Sequence, residues 1–286
     1  YGRLVRKAAD FMVRYRDPLT HLPAPSYDLW EERRGILSFT TASVYAGLRA
    51  AAEFARCFGE QEAAERYDTA ATEIRSAMDA YLCRPEVGRF ARMITINKDG
   101  GLEVDGAIDA SLWGLFYFGA YDASDPRITA TIKAVHDSLW CKTAVGGIAR
   151  YGNDYYHQVS QDIANVPGNP WFICTLWYAD YLIATAQTPD ELRRARDILH
   201  WVDAHKLPTG VPAEKVHPYT NAPMSVSPLT WSHATYVATV QGYLEKLEAF
   251  AERDTPSEVA YRKLLGHDLS DFGHVHITKA TPPKST

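Results

Sequence analysis

Apolar residues recur along this chain at helical rather than strand spacing. Leu4, Ala8, Phe11 and Met12 mark one face of a helix over about residues 1–16. Pro18, Pro23 and Pro25 then interrupt the pattern, and residues 17–38 read as a long loop. Thr40 or Thr41 stands where a cap is needed for an Ala-rich helix reaching about residue 58. Gly59 separates that helix from one over about residues 61–82, which predicts an αα-hairpin. Residues 89–96 are partly β-branched and aromatic. With the turn signal at 97–101 and the run 102–104, they predict a small β-hairpin standing off the helical body.

Helical patterning resumes at about 109–118. Asp125-Pro126 is a cap followed by proline at the first helical position, and the helix it opens runs to about 139. Asn169-Pro170 repeats that logic for an apolar helix ending near 186, and Thr188-Pro189-Asp190-Glu191 reads as a capping box for a helix to about 205. A Pro- and Gly-containing loop fills 207–228, and Thr230 is placed to cap a last long helix to about 252. The expected organisation is a helical body over 1–254, then a C-terminal helix and an extended tail over 255–286. The tail, from Phe272, has few apolar residues and the pair Pro282-Pro283.

About eight helices joined by alternating short and long loops predict an all-α toroid of helical hairpins, with long loops building a site at one end. An irregular helical bundle satisfies the same pattern, and no fixed-period repeat is present.

Charge narrows the partners. The net charge is -5 and Lys/Arg residues are not clustered, so a nucleic-acid partner is not expected. No apolar run reaches the roughly 18–20 residues that span a bilayer, so no membrane partner is expected either. The four cysteines lack zinc or CxxC spacing; Cys57 and Cys174 fall inside apolar helical patterns and are expected to be buried thiols. This mildly favours a reducing, cytoplasmic setting. His217, His233, His274 and His276 have no HExxH-type spacing, and neither metal nor cofactor is expected.

The densest chemistry lies in Tyr27-Asp28-Leu29-Trp30-Glu31-Glu32-Arg33. Three close carboxylates beside an apolar wall are a setting in which one carboxylic acid keeps its proton, as glycoside hydrolysis requires. Aromatic faces such as Trp30 also stack on sugar rings. The plainer reading is an acidic cluster at a helix start, where negative charge is favourable. Arg150-Tyr151 precedes Gly168-Asn169-Pro170-Trp171-Phe172, and Pro212-Ala213-Glu214-Lys215 precedes Pro228-Leu229-Thr230-Trp231-Ser232. Glu214 is the only carboxylate between Asp203 and Glu245; the plainer reading is a solvated loop acid.

These three blocks, in this order, resemble glycoside hydrolase family 15, the glucoamylases, over residues 1 to about 252. The resemblance implies an (α/α)6 toroid of twelve helices, of which this chain would supply about eight, the others preceding Tyr1 in the same protein. It implies Glu31 as general acid and Glu214 as general base. Asp28, Trp30, Glu32, Arg150, Tyr151, Trp171 and Trp231 are implied as substrate-binding or supporting residues. Two departures stand out: Lys215 where Gln is more usual, and about ten extra residues between Tyr155-Tyr156 and Gly168 relative to fungal members. Lys215 beside Glu214 would favour the ionised carboxylate that a base needs. Asp109-Ala110-Ser111-Leu112-Trp113 is a softer match, with Asp109 read as a helix cap and Trp113 as core. The implied activity is inverting, exo-acting hydrolysis that releases β-glucose from non-reducing ends of α-1,4-glucans or maltooligosaccharides. Alternatives are trehalose or α-1,6-linked substrates in the same family, a toroidal phosphorylase, or a non-catalytic glycan-binding module. The Glu214 loop argues against the phosphorylase, and retention of both acids against the module.

Overall fold

A computed structural model describes residues 1–254; the helix and tail expected over 255–286 lie outside them. Eight α-helices make up about half of it: α1 (Val5–Arg14), α2 (Ser38–Cys57), α3 (Gln61–Tyr81), α4 (Gly114–Tyr117), α5 (Pro126–Leu139), α6 (Phe172–Thr185), α7 (Pro189–His205) and α8 (Thr230–Asp254). A 3-10 turn (Ala110–Trp113) leads directly into α4. The even-numbered helices touch in series, α2 on α4, the 3-10 turn on α6, and α6 on α8. The odd-numbered helices back them, α3 on α2, α5 on α6, and α7 on α6 and α8. The result is the double-layered helical arrangement of an (α/α)6 toroid, with eight of its helices among the described residues.

The start signals that hold are local ones. Asp125 accepts from the Arg127 N–H and Thr188 from the Glu191 N–H, each with proline at the first helical position. Other expected starts change. α2 begins at Ser38 without a side-chain cap, so neither Thr40 nor Thr41 caps it. Trp171 holds the position before α6 without a side-chain cap bond, and Asn169 instead donates to the carbonyls of Tyr156 and His157. Asn169 is buried, and these tertiary partners outbid a cap.

α6 is apolar on nearly every side and so lies at the centre of the packing. Ile173, Cys174 and Trp177 join the core built on α2, α3 and α5; Phe172, Leu176, Ala179 and Ile183 join the core built on α7 and α8. α1 corrects its expected face: Ala9 is buried and Met12 packs inward, while Leu4, Ala8 and Phe11 are exposed. Cys174 is buried as expected; Cys57, near the end of α2, is exposed.

The strands are short, but they decide where the site stands. β1 (Ser26–Tyr27), β2 (Arg34–Leu37), β5 (Met93–Ile96) and β6 (Leu102–Asp105) form one antiparallel sheet in that order. The expected hairpin is therefore β5–β6, closed by a backbone bond from Asn97 N to the Gly101 carbonyl. It is not a free-standing excursion: β5 pairs with β2, with Ile36 opposite Ile94. Gly35 makes this approach feasible, because a Cβ there would lie 3.0 Å from the Ile94 carbonyl oxygen. β3 (Cys83–Arg84) pairs with β4 (Arg89–Phe90), and β7 (Lys215–Val216) with β8 (Pro223–Met224).

Candidate active site

β1 and β2 bracket the turn that carries the three carboxylates. Asp28 shapes this turn: its Oδ1 accepts from the N–H groups of Glu32 (2.8 Å) and Arg33 (3.3 Å), and its carbonyl accepts from the Glu31 N–H (3.0 Å). The tightness of the turn forces Glu31 into the left-handed region, φ 60°. That backbone is costly for a residue with a Cβ and is typical of functional positions. The Glu31 side chain stands exposed at the apex.

Glu32 is held very differently. Oε1 accepts from Arg150 at 2.9 Å; Oε2 accepts from the Tyr151 hydroxyl at 2.5 Å and from Arg33 at 2.9 Å. Arg150 is itself clamped by Asp154, through Nε to Oδ2 at 2.8 Å and Nη2 to Oδ1 at 2.7 Å. Burial works against the Arg150 charge, but Asp154, Tyr151 and Glu32 together leave its pKa raised. Burial and the bond to Glu32 push the Tyr151 hydroxyl up, so it remains a donor. Arg150 therefore commits donors to carboxylates of the protein. Asp154 had no motif to mark it; its only trace in the sequence is an acid four residues after Arg150.

Aromatic rings floor the site. Trp30 lies 5.9 Å from Trp171, 5.9 Å from Trp177 and 6.1 Å from Trp231 between ring centroids. The Arg150 guanidinium sits 5.2 Å from the Trp30 centroid and 4.9 Å from that of Trp171. Trp30 and Trp171 are buried, whereas Trp231 is partly open to solvent. The Trp30 N–H donates to both oxygens of Asp109 (3.1 and 3.2 Å). Asp109 caps the 3-10 turn through the Ser111 N–H, as its position suggested, and also anchors Trp30. Burial raises its pKa, against the Ser111, Arg92 and Trp30 contacts. Trp113 is buried and stacks on Trp177 at 4.8 Å.

Glu214 reaches the same floor from the far end of the chain. Its carbonyl accepts from the Phe172 N–H (3.4 Å), and its neighbour Lys215 is bridged to Trp171. Ser232, buried in the first turn of α8, donates to the Ala213 carbonyl at 2.8 Å. That bond explains why a Thr-Trp-Ser helix start accompanies the Glu214 loop. The Glu214 side chain is 12% exposed. Its Oε2 is buried without a hydrogen-bond partner, and Lys215 Nζ lies 3.8 Å away, an ion pair too long for a hydrogen bond. Oε2 is thus not bonded to Glu31.

Among the described residues no group of three or more His, Cys, Asp or Glu could hold a metal ion. No helix among them is long and apolar enough to cross a membrane.

A toroid of helical hairpins with carboxylates converging on a tryptophan floor is an architecture of carbohydrate-cleaving enzymes. The model of glycosyl hydrolases family 15 matches residues 19–241, and the chain belongs to that family. An uncharacterized glycosyl hydrolase of Methanocaldococcus jannaschii is 28% identical over 250 residues, 84% of this chain and 37% of that protein. A glucoamylase of a Clostridium species is 26% identical over 267 residues, covering 86% and 36%. A trehalase of Mycolicibacterium smegmatis is 25% identical over 241 residues, covering 84% and 32%. The crystal structure of a bacterial glucoamylase complexed with acarbose superposes with a TM-score of 0.69 at 25% identity, over 85% of this chain and 38% of that one. The chain thus spans about a third of the length of each of these relatives.

Proposed function

We propose that residues 1–254 form part of the catalytic domain of an inverting, exo-acting glycoside hydrolase. It would release β-glucose from the non-reducing ends of α-1,4-glucans or maltooligosaccharides. One contrast carries this reading: Glu32 is tied by three donors, whereas Glu31 stands exposed at a strained apex and Glu214 keeps a buried oxygen without a hydrogen-bond partner. Glu31 is then the proton donor to the glycosidic oxygen. Glu214 takes the proton from a water on the opposite ring face as that water attacks the anomeric carbon. Inverting enzymes leave roughly 6.5–9.5 Å between the two carboxyls for this water. Asp28 shapes the acid's turn, and Arg150 with Tyr151 fixes Glu32, whose position borders the sugar. Trp30, Trp171 and Trp231 supply the stacking floor.

Two relatives bear the name trehalase, at 25% and 24% identity, which favours trehalose as the second substrate to test. The deciding experiment compares the wild type with Glu31→Gln and Glu214→Gln in the full-length protein, on maltotriose and on trehalose, with the anomer of the product read by polarimetry. Release of β-glucose, and a loss of about 10²-fold or more in each variant, is the expected result. α-Glucose as the first product from maltotriose, or an active Glu214→Gln variant, would overturn the assignment. Turnover of trehalose alone would keep the mechanism and replace the substrate.

A further inference from the structure

Lys215 is among the largest fully buried side chains of the protein, yet it carries an ammonium group. Buried lysines are rare unless something holds them. Here Nζ lies 3.5 Å from the ring centroid of Tyr156 and 4.9 Å from that of Trp171, and it donates to the Tyr156 carbonyl at 2.9 Å. The Tyr156 hydroxyl in turn meets Ser225 at 3.3 Å, so the segment after Arg150 and the Glu214 loop are closed over the lysine from both sides. The charged groups facing it are Glu214, Asp154 and Arg150.

We propose that Lys215 is the positioning residue of the Glu214 carboxylate: a fixed buried ammonium, wedged between Tyr156 and Trp171, that balances the charge of Glu214 and aims its buried oxygen. The inference rests on Glu214 acting as the base. A pair 3.8 Å apart and shielded from water interacts far more strongly than a surface pair, and it is screened little by salt. Because Nζ already bonds the Tyr156 carbonyl, it stays beyond hydrogen-bond range of Oε2. Glu214 is therefore held at Oε2 by charge and not by a hydrogen bond. Burial pushes the Lys215 ammonium down to about 8, with Glu214 and Asp154 acting against that and Arg150 with it. The positioning charge is accordingly present at neutral pH and lost in mildly alkaline solution.

The test uses Lys215→Gln, which keeps an N–H donor for the Tyr156 carbonyl and removes only the charge. In the full-length protein the acidic limb of kcat/KM should move to higher pH by about one unit or more, because the cation favouring an ionised Glu214 is gone. On the acidic limb kcat should fall by up to about 10-fold, and less at the wild-type optimum, with little change in KM, as expected when a base is partly protonated. A purely packing role for Lys215 leaves the acidic limb in place, and that result overturns the proposal. A second readout needs neither turnover nor the variant: carboxyl ¹³C NMR of glutamate-labelled wild type, with Glu214 identified as the signal missing from Glu214→Gln. That signal should move again near pH 8 as Lys215 loses its proton; no movement there overturns the proposal. If Glu214→Gln is fully active but the signal still senses Lys215, the assignment of the base fails and the coupling stands.

Discussion

The turn carrying Glu31 and the loop carrying Glu214 meet at one aromatic floor, yet their surroundings share little. On the acid side, charge is dense and nearly every charged group has a partner: Asp28, Glu32, Arg33, Arg150 and Asp154 are bonded to one another or to backbone, and Glu31 is left out at the apex. The strain there lies in the Glu31 backbone and at Asp28 Oδ2, which is buried without a hydrogen-bond partner. On the base side Glu214 is not among the left-handed residues, and the strain there is electrostatic: a buried carboxylate oxygen and an ammonium held among tyrosine and tryptophan rings, outside hydrogen-bond range of each other. Under the proposed roles the same residue type meets two different surroundings: exposure lets an acid exchange its proton with a leaving oxygen and with solvent, and a buried counter-charge stands beside the base.

The comparison breaks first at Arg150, which ties the acid turn to the floor shared with the base. Arg150→Ala leaves Glu32 and Asp154 without their buried cation and should lower stability by about 3–5 kcal/mol. Chemical denaturation would show it, and a loss under 1 kcal/mol would mean that solvent reaches the pair. Next comes Asp180 on α6, a control outside both loops. It accepts from Thr239 of α8 at 2.7 Å, and burial raises its pKa to about 7. A raised folded-state pKa means this group's contribution is full below about pH 4 and declines as pH rises to about 7, by up to about 4 kcal/mol. Asp180→Asn should flatten that part of the stability profile. An identical pH dependence in variant and wild type would show that the group is hydrated.

Gly35→Ala tests the sheet beneath the acid turn. The new Cβ would meet the Ile94 carbonyl oxygen and the Met93 sulfur at 3.0 Å each, and overpacking of this kind costs about 1–3 kcal/mol. Melting should fall accordingly, and activity should fall more than in a matched destabilised variant because the turn shifts. The smallest effect sharpens the contrast most. Glu31→Gly removes the side chain from a left-handed position and should stabilise the fold by up to about 1 kcal/mol while abolishing turnover. No counterpart gain is expected at Glu214, whose backbone is unstrained. Equal stability changes at the two sites would erase the distinction.

Legibility in the sequence followed the range of the interactions. Asp125-Pro126 and Thr188-Pro189 were readable because a cap is settled within four residues. The centrality of α6 showed in an apolar run without a polar face. Asn169 looked like a cap and is not one, because the Tyr156 and His157 carbonyls, earlier in its loop, bind its side chain instead. β1 and β2 went unseen: they are two and four residues long, and their pairing with each other and that of β2 with β5 create them. The α1 stripe of Leu4, Ala8 and Phe11 showed that a face is apolar; burial of Ala9 instead depends on which helix lies against it.

The same division runs through the site. By itself the sequence determined the helical class, the starts of α5 and α7, and the three blocks whose residue types suit sugar chemistry, since each rests on neighbours along the chain. Only the tertiary structure decided that Glu32 is bound while Glu31 is exposed, that Asp154 clamps Arg150, that Asp109 holds Trp30, and that Lys215 is sealed beside Glu214. These depend on contacts between segments that the sequence keeps far apart. Whether a carboxylate is paired, strained or shielded from water is a property of what surrounds it in space.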